Sequence, residues 1–146
     1  MVFKLLTTEE QWKRALPLWK QLRSDLCEKT CLSRRQDMLA SGYLLFGLFD
    51  DSGKLVSLAS AIIYPHVTRG LNLWIHDLVS DKELRSRGYG EKLMHDVEEY
   101  ARSKKCSRVC VHTDNTNTNA RRFYGEKCGY DAYARVFQKD LNGALN

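Results

Sequence analysis

The sequence lacks both a long hydrophobic run and a secretion signal. Within its 146 residues, no apolar stretch reaches the ~18–20 residues that a membrane-spanning helix needs. The N-terminal segment MVFKLLTTEEQW has neither the basic start nor the small-residue cleavage site of a secretory signal. We therefore expect a cytoplasmic protein without membrane association.

Cysteine is scarce. The chain has five cysteines, an odd number, and no Cys-x-x-Cys pair. The spacing of Cys27 and Cys31 could serve half of a metal site, but no second Cys/His pair matches it. Without a secretion signal, reduced thiols are the simpler explanation. The sequence therefore predicts neither a disulfide framework nor a metal site.

The chain has fewer acidic than basic residues. The formal net charge is +5, which suits contact with an anion such as nucleic acid or a phosphorylated small molecule. The basic side chains are scattered, however, and many stand beside Glu or Asp, as on a solvated surface. No recognised nucleic-acid-binding motif is present, so we do not expect nucleic acid as a partner.

Apolar periodicity and turn residues predict a mixed α/β fold, and the chain length suits one domain over residues 1–146. Leu71, Leu73 and Ile75 alternate as in a strand, and the segment DDSG between two apolar runs marks a hairpin turn. Predicted strands cover residues 2–6, 43–49, 54–64, 71–79, 107–113 and 133–141. Predicted helices cover residues 7–26 and 33–41, a run after residue 90, and a short segment ending near Gly129.

The first two predicted helices carry start signals. Thr7 and Glu10 have the spacing of a capping box, in which each side chain satisfies a backbone N–H. Ser33 and Gln36 repeat that spacing. Pro17 predicts a kink in the first helix. The predicted buried stripe of that helix consists of Trp12, Leu16, Trp19 and Leu22.

A short glycine-bearing loop joins a predicted strand to a predicted helix. It reads Arg85-x-x-Gly88-x-Gly90. A helix N-terminus presents unpaired N–H groups and partial positive charge, and glycines let the backbone approach an anion closely. A turn with two glycines would also explain the pattern, and neither the GxGxxG nor the P-loop spacing is present. The position between strand and helix favours a pyrophosphate site.

A second motif follows about thirty residues later. Together the two motifs make the chain resemble the GNAT superfamily, the Gcn5-related N-acetyltransferases. The resemblance covers residues 71–141 well, and covers residues 1–70 only through the order of elements. The second motif consists of Asn117, Ala120, the pair Phe123 and Tyr124, and the pair Gly129 and Tyr130.

The resemblance implies a GNAT-like mixed sheet whose central strand pair is splayed, with a β-bulge beside it, and acetyl-CoA bound in the opening. Backbone N–H groups of the loop would hold the pyrophosphate, and the preceding strand would hydrogen-bond the pantetheine arm. Ser86 stands where the family often has Arg, which removes one possible phosphate contact. The implied cofactor-binding residues are Leu78, Val79, Arg85, Ser86, Arg87, Gly88, Tyr89, Gly90, Glu91 and Asn117.

Two side chains are candidates for catalysis. Tyr124 aligns with a tyrosine that many relatives place near the CoA sulfur, where a phenol can protonate the departing thiolate. His76 stands where many relatives carry Glu, and an imidazole, with an ordinary pKa of about 6.5, suits a general base. His112 and ordered water remain alternatives for the base. Asp77 is expected on the opposite strand face from His76, unless a bulge begins there.

The acceptor is implied only as a class. The resemblance implies direct transfer of an acetyl group to a primary amine, expected on a small molecule, in a ternary complex. The acceptor side would be shaped by residues 26–35 and 65–70. A protein amine, or a non-catalytic acyl-CoA-binding module, remains an alternative. Family members are often dimers, so we expect a homodimer.

Overall fold

The computed structural model describes residues 1–143. The chain divides into two compact units, Met1–Val111 and a second that begins at His112, and each is described by itself. No helix within residues 1–143 has the length and apolar character to cross a bilayer. The single domain predicted over residues 1–146 stays a prediction.

The first unit is built on a mixed sheet of five strands that lie side by side in chain order. The first four strands pair antiparallel, and the fifth pairs parallel to the fourth. The predicted α/β class and the predicted hairpin are therefore confirmed. The strands are β1 (Val2–Leu5), β2 (Tyr43–Phe49), β3 (Leu55–His66), β4 (Gly70–Ser80) and β5 (Cys106–Val111).

Helices cover both faces of this sheet. In the first unit these are α1 (Glu9–Trp19), α2 (Glu28–Ala40), a short 3-10 helix (Lys82–Leu84) and α3 (Tyr89–Ser103). The second unit, taken by itself, contains α4 (Thr118–Arg122) and a π-helical turn (Phe123–Lys127). On one face, Leu45 of β2 is buried in a core cluster with Trp12 and Trp19 of α1. On the other, the ring of Phe46 packs edge-on against Tyr100 of α3, with centroids 4.9 Å apart. Burial on two sides explains the nearly continuous apolar run of β2.

Both predicted capping boxes are wrong: the first is displaced by one residue, and the second is not formed. The box at α1 is formed by Thr8 and Gln11, one residue later than predicted. The predicted box at Ser33 does not exist, because α2 already begins at Glu28 and the Ser33 hydroxyl donates within the helix to the Thr30 carbonyl oxygen. Several hydroxyl residues precede each apolar run, so local spacing alone could not select the cap.

Helix α1 is shorter than the predicted span of residues 7–26. It ends at Trp19, two positions after Pro17, whose missing N–H cannot contribute to the last turn. Trp12, Leu16 and Trp19 are buried as predicted, but Leu22 is 44% exposed. Leu22 lies beyond the helix end, so the helical spacing no longer points its side chain at the core.

A β-bulge interrupts the pairing of β4 with β3. Ser60 lies opposite Asp77, whereas the next residue of β3, Ala61, lies opposite Ile75. His76 is therefore the additional residue in β4. Bulges of this kind re-aim side chains and are frequent beside active sites, and one was expected in this strand from the resemblance.

The bulge places the side chains of Ile75 and Asp77 on opposite faces of the sheet. Leu45, Ser60 and Asp77 lie opposite one another on three neighbouring strands, so Asp77 shares the α1 face with Leu45. Ile75 belongs to the neighbouring row, which contains Leu44 and therefore faces the other way. Without the bulge, residues 75 and 77 would share a face, because the side-chain period of a strand is two.

The strand predicted over residues 133–141 is not formed within the described chain. Residues 131–140 have neither helical nor strand structure, although the segment contains the β-favouring residues Tyr133, Val136 and Phe137. A strand exists only when an edge is available for its backbone hydrogen bonds. The predicted strand is therefore wrong here, because local propensity cannot supply a neighbouring edge.

Candidate active site

The loop before α3 has the backbone shape of an anion site. Gly88 is the N-cap of α3 with a left-handed φ of 79° and no side-chain cap. Ser86 also has a positive φ, 64°, which is uncommon for a non-glycine residue. The N–H groups of Tyr89, Gly90 and Glu91 form the first turn of the helix and lie at its positive end.

Space remains open above this turn. A Cβ placed on Gly88 would meet no atom within 4 Å, so the position is not crowded by the protein itself. The positive φ and the open space leave room for an anion to approach the backbone at the start of α3. The predicted cofactor-binding stretch from Arg85 to Glu91 therefore forms one continuous local structure.

Asp81 anchors the entrance of this loop. Its carboxylate accepts hydrogen bonds from Lys54 Nζ at 3.0 Å, from the Glu83 backbone N–H at 3.1 Å, and from Gln21 Nε2 at 3.4 Å. Gln21 in turn accepts from the backbone N–H of Lys82 at 2.9 Å. The hydrogen bond from Lys54 is the main cause that lowers the pKa of Asp81, and the Glu83 N–H adds to it. These contacts tie the loop to the segment after α1 and to Lys54, which directly precedes β3.

Strand β4 extends past its neighbour at the predicted pantetheine position. The β4–β5 pairing begins at Leu71 and ends where Ile75 meets Val111, whereas β4 continues to Ser80. Leu78 and Val79 therefore lie on a length of β4 beside which β5 no longer runs. The Val79 side chain is buried in the α1 core, so its backbone is the part that this edge can offer to a ligand.

His76 is held against an aromatic ring. Its imidazole stacks on Tyr43 with centroids 6.1 Å apart and planes 6° from parallel. Burial raises the pKa of Tyr43 to about 12, so its phenol stays protonated across the physiological range. The bulge thus places His76, as well as Asp77, toward the α1 side of the sheet.

Asp77, which the sequence analysis mentioned only for its facing direction, is buried at the centre of a polar cluster. Trp19 Nε1 donates to its Oδ2 at 2.9 Å, and Arg23 donates to its Oδ1 from Nε at 2.8 Å. The hydrogen bond to Asp77 is the main cause that raises the pKa of Arg23. Both carboxylate oxygens are occupied, so Asp77 suits positioning better than proton abstraction. A charged residue within the apolar strand segment WIHDLV was the available signal.

An open cleft lies beside the His76–Tyr43 stack. It has a volume of about 290 Å³ and includes Tyr43, whose ring contacts His76. Arg34 falls within the predicted acceptor region of residues 26–35, whereas the rest of the lining was not predicted. The lining residues are Arg34, Asp37, Met38, Ser41, Tyr43 and Ile62.

The second unit contains the remaining predicted residues. The Asn117 side-chain oxygen accepts from the Ala120 N–H at 3.0 Å and so caps α4, as a capping asparagine should. Tyr124 lies in the π-helical turn, and its ring contacts Phe123 at 5.3 Å and Tyr130 at 6.3 Å between centroids. His112, the alternative base, is the first residue of this unit. The roles of these residues toward a ligand stay predictions.

Comparison with known proteins finds a matching family and relatives named as N-acetyltransferases. A model described as the acetyltransferase (GNAT) family matches residues 6–130. An uncharacterized N-acetyltransferase of Bacillus subtilis (strain 168), YhdJ, is 31% identical over 139 residues, which are 94% of this chain and 97% of the relative. A glucosamine 6-phosphate N-acetyltransferase of Trypanosoma brucei brucei is 36% identical over 92 residues, 62% of this chain and 60% of that protein.

The fold is also found among solved structures. An aminoglycoside N-acetyltransferase in complex with CoA superposes with a TM-score of 0.80 over 96% of this chain and 95% of its own. Its sequence is 19% identical, so the likeness concerns the fold.

Proposed function

Since the chain belongs to the GNAT acetyltransferase family, we propose that it transfers an acetyl group from acetyl-CoA to a primary amine of a small molecule by direct attack in a ternary complex. The observation that carries this proposal is the loop from Arg85 to Gly90, with its positive-φ turn at the start of α3. A fold neighbour that binds CoA supports the same assignment.

The first requirement is a place for the pyrophosphate of CoA. The N–H groups at the start of α3 provide donors without a side-chain cap, and the helix end favours negative charge. Arg85 and Arg87 add positive charge next to these donors. The edge of β4 at Leu78 and Val79 would then hydrogen-bond the pantetheine arm, because β5 has ended at Val111.

The chemistry needs two proton movements. The neutral amine nitrogen attacks the thioester carbonyl carbon, the carbon–sulfur bond breaks, and the amide and free CoA thiol form. Backbone N–H groups near the bulge would stabilise the charge on the carbonyl oxygen. One proton leaves the nitrogen, to His76 or to water, and one reaches the sulfur, from Tyr124 or from solvent.

The acceptor is proposed to enter over the cleft next to Tyr43. Arg34 and Asp37 give this cleft both charges, whereas Met38 and Ile62 give it apolar wall. A small molecule that combines an amine with an anionic group and an apolar or sugar body fits this lining. We also propose a cytoplasmic location for the reaction, because Cys27, Cys31, Cys106 and Cys110 are free thiols, as is usual in a reducing compartment.

The test is release of the CoA thiol from acetyl-CoA in the presence of single amines. The panel contains glucosamine 6-phosphate, an aminoglycoside, a polyamine and a peptide with a free N-terminus, and each reaction has a matching blank without acceptor. Amine-dependent thiol release together with the acetylated product by mass spectrometry supports the proposal. Tight acetyl-CoA binding without turnover of any amine would identify a non-catalytic binding module instead, and activity on the peptide alone would identify a protein acetyltransferase.

A further inference from the structure

Arg23 is anchored on one side and open on the other. Its Nε and one terminal nitrogen donate to Oδ1 of Asp77, at 2.8 Å and 2.5 Å. The Asp77 side chain is 7% exposed and that of Arg23 is 52% exposed, so the guanidinium joins a buried carboxylate to solvent. Within residues 1–143 the remaining terminal nitrogen, Nη1, donates to no partner. Because every guanidinium nitrogen carries N–H groups, Arg23 keeps donors for a ligand.

Arg23 lies beside side chains that the proposed reaction uses. Asp77 directly follows His76, the additional residue of the β4 bulge, and the His76 imidazole stacks on Tyr43. The pKa of Arg23 is raised, mainly by its hydrogen bond to Asp77, and the Tyr43 phenol adds to this electrostatically, which requires the two groups to be near each other. Tyr43 also lines the open cleft proposed for the acceptor. The guanidinium of Arg23 therefore lies near the acceptor cleft and the candidate base.

The Arg23–Asp77 pair offers hydrogen-bond donors and no free acceptor. Both Asp77 oxygens are occupied, Oδ1 by Arg23 and Oδ2 by Trp19 Nε1 at 2.9 Å. Asp25 also acts on Arg23 electrostatically, but no hydrogen bond or ion pair joins these two side chains within residues 1–143. Free donors on a cation favour an oxygen anion as ligand, because a guanidinium binds carboxylate and phosphate oxygens through charge-assisted hydrogen bonds.

The buried anchor prepares Arg23 to bind such an anion. An unrestrained arginine side chain loses rotamer freedom when it binds a ligand, and that loss weakens binding. The hydrogen bonds to Asp77 already hold the guanidinium, and Asp77 is itself held by Trp19 from the core. Arg34, the cation in the cleft lining, has no hydrogen bond or ion pair to the part of the chain that the structure describes. Arg23 is therefore the better ordered of the two cations.

We propose that Arg23 determines acceptor specificity by binding a carboxylate or phosphate group on the molecule whose amine is acetylated. This inference rests on the proposed acetyl transfer and narrows it, since the anionic group becomes a requirement for efficient binding and Arg23, rather than Arg34, recognises it. Asp77 acts through Arg23 as a positioning residue. A purely cationic acceptor such as a polyamine is disfavoured, because its charge would meet the like charge of Arg23.

The first test compares acceptors that differ in the anionic group. The pairs are glucosamine 6-phosphate with glucosamine, and leucine with leucinamide, so phosphate and carboxylate are tested separately. Wild-type protein should favour the anionic member of one pair at least about tenfold in kcat/KM, the effect typical of a charge-assisted hydrogen bond. Arg23→Gln should remove that preference, mainly through KM. Arg23→Lys should keep part of it, because lysine retains the charge without the planar fork.

Each preference is compared between variant and wild type, so the different amine pKa values of leucine and leucinamide cancel. Arg102→Gln is the matched control. Arg102 forms an exposed ion pair with Glu99 on α3, and its variant should keep the wild-type preference.

The second test separates recognition from stability, because Arg23→Gln also leaves the buried Asp77 carboxylate without its cation. The double variant of Arg23→Gln with Asp77→Asn lacks that charge. Urea unfolding should therefore recover part of the stability that the single variant loses, whereas the preference for the anionic acceptor should stay lost. If Arg23 were merely structural, the activities on both members of a pair would instead follow the stability.

Titration calorimetry with CoA-saturated protein gives a measurement that does not need turnover. Glucosamine 6-phosphate and leucine are titrated in turn, and wild-type protein should bind one of them at least about tenfold more tightly than Arg23→Gln does. If no amine is acetylated but this difference in binding remains, acetyl transfer is wrong and recognition by Arg23 stands.

Three results would overturn recognition by Arg23. The first is a wild-type protein that acetylates the anionic and neutral members of both pairs equally well. The second is an Arg23→Gln variant that keeps the wild-type preference, and the third is a CoA-saturated wild type that binds neither glucosamine 6-phosphate nor leucine.

Discussion

Arg23 donates two hydrogen bonds to the same carboxylate oxygen of Asp77, from Nε at 2.8 Å and from a terminal guanidinium nitrogen at 2.5 Å. The Asp77 side chain is 7% exposed, whereas that of Arg23 is 52% exposed. One partner is thus buried and the other reaches solvent. This pair fixes the segment after α1 to the strand that carries the bulge.

Asp77→Asn should destabilise the protein by about 1–3 kcal/mol, the range for a buried hydrogen bond to a charged group. The amide keeps an acceptor for Trp19 but removes the negative charge that Arg23 binds. Urea unfolding at pH 7 measures the change. Glu9→Gln is the control, because it breaks only the exposed Glu9–Lys13 pair and should cost less than about 0.5 kcal/mol. Equal losses in the two variants would contradict a structural role for Asp77.

Gly88→Val should weaken binding of CoA at least tenfold, an estimate based on the loss of anion-binding N–H geometry at the start of α3. Valine is strained at the φ of 79°, and its side chain would occupy the open space above the turn. Isothermal titration with CoA measures the affinity.

Gly53→Val provides a close control. Gly53 has a φ of 84° and also has open space around its Cβ position, so both variants lose similar backbone free energy. Only Gly88→Val should alter CoA binding. If the two folded variants bind CoA equally well, the pyrophosphate site is not at this loop.

Tyr124→Phe should lower kcat by about tenfold or more while CoA affinity and unfolding stay nearly constant. The change removes one hydroxyl and keeps the ring, and general acid catalysis is typically worth about 10²–10⁴-fold, of which solvent replaces a part. Steady-state kinetics under conditions where chemistry limits the rate gives the value. Tyr130→Phe, in the neighbouring ring, should keep kcat. Full kcat in Tyr124→Phe would make Tyr124 a packing residue.

His76→Gln should change the pH profile of kcat/KM. If His76 is the base, its neutral form is required, so the rate rises with pH through an ionisation that ordinarily falls near pH 6.5. The variant should lose that step and keep only the ionisation of the acceptor amine. An unchanged acidic limb would assign the proton transfer to water or to His112.

Asp81→Asn should lower the free energy of unfolding at neutral pH. It should also make that free energy depend less on pH in the acidic range. The pKa of Asp81 is lowered in the folded protein, so its contribution is present above the unfolded value of about 3.9 and is lost as pH falls below it. The difference in urea midpoint between variant and wild type should therefore be largest near pH 7 and narrow below about pH 4. A difference that stays constant with pH would mean that the carboxylate charge is not responsible.

Much of the fold followed from local patterns in the sequence. The apolar runs of β2 and β3 around a turn predicted their hairpin, and the amphipathic run after Gly90 predicted α3, because periodicity reflects which side chains are buried. The glycine loop was recognisable for a different local reason, since glycine adopts a left-handed turn such as that at Gly88 most readily. These features depend on residues close together in the chain.

Tertiary structure alone decided the features that depend on a partner distant in sequence. The bulge at His76 turns Asp77 to the face of α1, where Trp19 and Arg23 meet it. That change of face depends on the register between β3 and β4, which no local pattern encodes. The segment of residues 131–141 has the composition of a strand, but a strand forms only where another edge completes its hydrogen bonds. Local composition therefore determined which segments could form strands, and the pairing between distant segments determined which way their side chains point.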